Sequence, residues 1–194
     1  RPAFVPARAL LCEDLRREGS FAKALEVADR GGGDDPRLLR IGAEICLDVR
    51  RPGEAWARAL RAIERDPRDA AGFDLATEIA WAAGGGSAMQ TLADFAGRGL
   101  PASRERILIG ALQGFPPDDG SSARKVEEDL AALCAVEPAW ALPRLILAGL
   151  RRPGAPAAAA EAIRLGPLED PSPRRTALLH VALAESLDEA GHEG

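Results

Sequence analysis

EAWARALRAIERDP, residues 54–67, places Ala55, Ala59, Ala62 and Pro67 at steps of four, three and five. AMQTLADFAGRGLP, residues 88–101, carries Met89, Ala93, Ala96 and Pro101 at the same steps, 34 residues later. APAAAAEAIRLGP, residues 155–167, repeats them with Ala155, Ala159, Ala162 and Pro167. Steps of three and four return a side chain to one face of a helix. Small residues on that face let a neighbouring helix come close, and a proline past the last turn stops the helix. The recurring unit is therefore a short helix with a small-residue stripe and a fixed end.

Working outward, a second helix precedes each of these. Leu39, Gly42 and Ala43 match a large–apolar–small pattern, as do Phe73, Ala76 and Thr77. Leu11, Cys12 and Leu15 follow it near the start, and Leu183, Ala184 and Leu187 near the end. In PARALLCEDLRREG, Ala7, Leu11 and Leu15 fall four apart before Gly19, a helix-ending residue. In DDPRLLRIGAEICLDVRRPG, Asp35 is the expected N-cap, Pro36 the first helical residue, and Leu38, Leu39, Gly42, Ile45, Cys46 and Val49 the buried stripe. SPRRTALLHVALAESLDEAG repeats that device with Ser172, Pro173 and a stop at Gly191. Breakers recur about every 12 to 18 residues, which predicts roughly eleven helices of two to four turns. None is long enough to bury its stripe alone, so neighbours must stack.

The pattern resembles the tetratricopeptide repeat, a 34-residue helix pair whose second helix carries small residues before a closing proline. The resemblance spans units at 5–33, 36–68, 70–101, 104–138 and 139–167, with a last helix at 173–190. It implies an all-α, right-handed solenoid forming one domain over 1–194. The closing prolines lie 34, 37 and 29 residues apart, Ala59, Ala80 and Ala93 occupy positions usually aromatic, and the fourth unit carries Pro116-Pro117. Gly84, Gly85 and Gly86 fall at the corner between two paired helices, as Gly19 does in the first unit. A phosphate loop would follow a strand and end in Gly-Lys-Ser/Thr; these glycines follow a helix with no lysine nearby.

Composition fits an ordinary folded chain: 194 residues, 46% hydrophobic, 28% charged, net charge -5. The charge is spread evenly, -2 over residues 1–97 and -3 over 98–194, with no clustered basic face for nucleic acid. Arginine outnumbers lysine 23 to 2, a ratio we attribute to genomic base composition. No apolar run approaches the ~18 residues that span a membrane. The chain opens at Arg1 rather than Met, leaving a removed signal peptide or a preceding domain open. Cys12, Cys46 and Cys134 are odd in number and far apart, which suggests neither disulfides nor a metal site and favours a reducing, cytoplasmic compartment; periplasmic or secreted placement stays open.

Chemistry-bearing clusters are sparse. His180 is expected on the apolar side of the last helix and His192 in the tail. Glu127, Glu128 and Asp129 flank a face made by Val126, Leu130 and Leu133, and acids so spaced on a helix do not converge on a metal. Trp56 and Trp140 are expected in the core. The expectation is a protein with no catalytic residue, cofactor or metal, and hence not an enzyme.

In repeats of this family the first helix of each pair lines a concave groove, where partners bind. Glu13, Glu44 and Glu78 directly follow Cys12, Ala43 and Thr77, and Glu185 follows Ala184. In that register the four form an acidic ladder, although glutamate is also simply a good helix former. Asp48 and Asp74 join the face, tempered by Arg16, Arg37 and Arg40. Trp81 and Leu112, with Leu108 and Phe115, would give the groove an apolar end. The expected partner-binding residues are thus Glu13, Arg40, Glu44, Asp74, Glu78, Trp81, Leu112 and Glu185. They imply a non-catalytic scaffold or adaptor holding a basic peptide or protein, without nucleic acid, and self-associating through its ends. The alternative is a regulatory or assembly domain cut from a larger enzyme or a secretion or envelope-assembly protein.

Overall fold

The computed structural model describes residues 4–30, 34–83, 86–113, 120–150, 164, 166–168, 170 and 173–192. Within them ten helices form and no strand: α1 Val5–Arg17, α2 Phe21–Asp29, α3 Pro36–Asp48, α4 Pro52–Arg65, α5 Ala70–Ala82, α6 Ser87–Gly99, α7 Arg104–Leu112, α8 Gly120–Val136, α9 Ala141–Ala148 and α10 Pro173–His192. The chain is all-α, as expected. The third small-residue register, Ala155, Ala159 and Ala162, lies outside the described residues, as does the expected cap Ser172. Helix α10 runs to His192 and does not stop at Gly191.

Helix starts follow the side chains that can supply them. Asp35 accepts hydrogen bonds from the Arg37 and Leu38 amides at 3.0 and 3.3 Å, with Pro36 as first helical residue. Asp69 does the same for Ala71 at the head of α5 (3.2 Å). Each satisfies an amide that would otherwise lack an intrahelical partner.

The first two corners are built alike. The Ser20 amide donates to the Leu15 carbonyl at 2.8 Å and the Gly19 amide to Arg16 at 3.0 Å. At the next corner Arg51 donates to Cys46 at 2.7 Å and Arg50 to Leu47 at 3.0 Å. This paired closure of a helix C-terminus requires a left-handed residue. Gly19 takes it at φ +73°, but in the second corner the non-glycine Arg50 is held there, at φ +60°. Both sit seven residues after the small residue of their helix, Cys12 or Ala43; the same count from Thr77 reaches Gly84, which with Gly85 lies outside the described residues.

The chain gathers into two compact units, Arg1–Ile109 and Gly110–Gly194, with the boundary inside α7. In the first unit α1 packs on α2 and α3, α2 on α3, α3 on α4 and α5, α4 on α5, and α5 on α6. Its core holds Leu38, Leu39, Ile45, Phe73, Ile79 and Leu92. The small-residue registers are buried as their spacing predicts: Ala55, Ala59 and Ala62 on α4, Met89 and Ala96 on α6, with Ala93 half-buried. Within this unit the glycine packed most closely is Gly99, against the loop after α4, where a Cβ would lie 2.3 Å from the Pro67 Cβ. Arginines stitch the helices together. Arg8 of α1 donates to the Val27 and Ala28 carbonyls at the end of α2 (2.9 and 3.1 Å). Arg58 of α4 grips Asp29 through both terminal nitrogens (2.6 and 2.9 Å), while Arg61 and Arg65 reach Asp34 (2.7 and 2.8 Å).

In the second unit α9 packs on α8 and on α10. Leu179 of α10 is buried against Ala141, with Leu145, Ala148, Ala182 and Leu183 around it. That phase exposes His180, which the sequence leads us to expect on the apolar side, and exposes Ala184 as well. Val126, Leu130 and Leu133 of α8 are buried, and Lys125 pairs with Asp129 one turn along (2.9 Å).

Candidate functional site

Cys12, Ala43 and Thr77 are all buried, so the residues that follow them occupy equivalent places on α1, α3 and α5. Thr77 fits a small-residue position because its hydroxyl donates to the Phe73 carbonyl within the same helix (2.8 Å). Since α3 touches both α1 and α5, Glu13, Glu44 and Glu78 stand at matched positions on three neighbouring helices.

They are not a bare acidic row. Arg16 of α1 crosses to α3, where it donates to Glu44 through Nη1 and to Asp48 through Nε and Nη2, the last at 3.3 Å. Arg37 of α3 reaches back to Glu13 at 3.7 Å, and Arg40 reaches Asp69, at the head of α5, at 3.8 Å. The arginines expected to temper the acids are thus the groups that tie one helix to the next. At Arg16, burial disfavours the charge, but the Asp48 hydrogen bond and the carboxylates of Glu44 and Asp48 outweigh it and raise its pKa above the ordinary value. Glu13, Glu44, Asp48 and Asp69 are thus each met by one of Arg16, Arg37 and Arg40.

The other expected residues divide. Asp74 and Trp81 are half-buried on α5 and Glu78 is buried there. Leu112 is buried, as is Leu108, so neither offers free apolar surface; they lie on the inner face of α7. Phe115 lies outside the described residues. Glu185 is exposed, but Ala184 before it is exposed too, so α10 does not repeat the buried-small-then-acid register of the first unit. That register is a feature of α1, α3 and α5.

Two buried charges escape sequence reasoning. Glu105 at the start of α7 is buried beside Arg104, whose Nε donates to it at 3.0 Å. Arg144 of α9 is fully buried, and its Nε donates to the Trp140 carbonyl at 3.4 Å. Burial lowers its pKa, partly offset by the Cys134 and Asp170 charges. A Cβ on Gly166 would lie 2.8 Å from the Arg144 guanidinium carbon and 1.8 Å from the Pro138 carbonyl, so only glycine admits this packing. The signal available was an arginine inside the apolar run ALPRLILA, where a surface residue is out of place.

Among the described residues, no group of three His, Cys, Asp or Glu is placed to hold a metal ion, and no helix is long and apolar enough to cross a membrane. No family model, curated protein or solved structure matches the chain. What the α1–α3–α5 face can do chemically is present the half-buried Glu13 of α1 and Glu44 of α3, partly neutralised by arginines already engaged within the fold, while Glu78 at the matching place on α5 is buried.

Proposed function

We propose that the protein is a non-catalytic scaffold of tetratricopeptide-like repeats, stacked as a solenoid, that holds a basic peptide segment across α1, α3 and α5. The observation that supports this is the common register of Glu13, Glu44 and Glu78 behind three buried small residues on adjacent helices. Carboxylates at a repeated spacing suit a chain bearing lysine or arginine, and attraction of this kind sets encounter rate and partner choice more than raw affinity. Asp74 and the half-buried Trp81 extend the face along α5.

The test is fluorescence anisotropy with a panel of labelled Arg- and Lys-containing peptides, at low and high salt. Glu13→Gln with Glu44→Gln removes two charges worth about 0.5–1 kcal/mol each at the rim of an interface. That is a five- to thirtyfold weakening, with a shallower salt dependence. Unchanged affinity and salt slope in a variant that keeps its circular dichroism would overturn the proposal.

A further inference from the structure

We draw no further inference here: the strongest candidate, the exposed apolar surface that Phe4, Leu10 and Leu11 form at the start of and along α1, carries none because nothing in the structure shows what covers it.

Discussion

Arg16→Met keeps most of the length and the apolar stem of the side chain while deleting its guanidinium. Three donor contacts to α3 are lost, leaving Glu44 and Asp48, four residues apart on one helix, without the cation between them. Hydrogen bonds to charged groups contribute about 1.5–3 kcal/mol where water is largely excluded, and exposed pairs under about 1 kcal/mol. The Arg16 side chain is only 16% exposed, which places it near the first class. Like-charge repulsion at this spacing adds a few tenths of a kcal/mol, so the loss is about 2 kcal/mol. Urea unfolding followed by far-UV circular dichroism reads it directly. A cycle with Glu44→Gln and Asp48→Asn is expected to return most of that loss as coupling. Loss below about 0.5 kcal/mol, or no coupling, would refute the idea that this arginine ties the first two helix pairs together. The same variant bears on function in the opposite direction. Relieved of Arg16, Glu44 and Asp48 are free to attract a basic peptide, so affinity rises severalfold while stability falls. A peptide that binds no better to Arg16→Met does not use this face.

Helix propensity alone predicts that replacing a helical glycine by alanine gains up to about 1 kcal/mol. Gly97→Ala is expected to show that gain, because nothing lies within 4 Å of its added Cβ, whereas Gly99→Ala, two residues on, is expected to cost about 1–3 kcal/mol through overpacking against Pro67; thermal melts of the pair decide it. Arg50→Gly removes a left-handed non-glycine residue and is expected to stabilise the first unit by about 0.5–1 kcal/mol, the reverse of the loss expected for an arginine that made essential contacts. Asp29 is held below its ordinary pKa, chiefly by the Arg58 hydrogen bond, so its contribution is complete above the unfolded value of about 3.9 and is lost as pH falls through the lower folded value. Its side chain is half exposed, so Asp29→Asn is expected to cost at most about 1 kcal/mol near neutrality, and the difference from wild type should close in melts run towards pH 2. Burial pushes the Cys134 thiol up to about 11 and raises Cys12 and Cys46 as well; at pH 8 all three are expected to react with Ellman's reagent only on unfolding, and one fast native thiol would contradict the buried placement.

The repeat register was legible because it is carried by residues whose size alone is informative. Ala55, Ala59 and Ala62 on α4 have no polar group to satisfy, so spacing and burial coincide. Asp35-Pro36 likewise names its own position in a helix, since each residue meets a need of the first turn. The acids were legible as a row but not as pairs. Arg16 meets Glu44 from 28 residues away, and which arginine of several takes which carboxylate depends on helix stacking that a linear pattern does not encode. Arg50 is opaque for a different reason: arginine has no preference for left-handed backbone, and its neighbours impose the conformation. On α10 alanines and leucines surround the helix on all sides, so period alone cannot choose the buried face. The choice fell on Leu179 rather than His180.

Asp29 and Asp34 stand on either side of a short glycine-rich span, and both are gripped by one face of α4, through Arg58, Arg61 and Arg65. The chain is therefore anchored at two fixed posts, one on each side of that span. Extra length between such posts costs little, about 0.6 kcal/mol for each doubling. That makes the interval between Arg30 and Asp34 a port for grafting: an epitope, a protease site or a fluorophore-bearing loop placed there would be carried by α2 and α3 without either helix having to move.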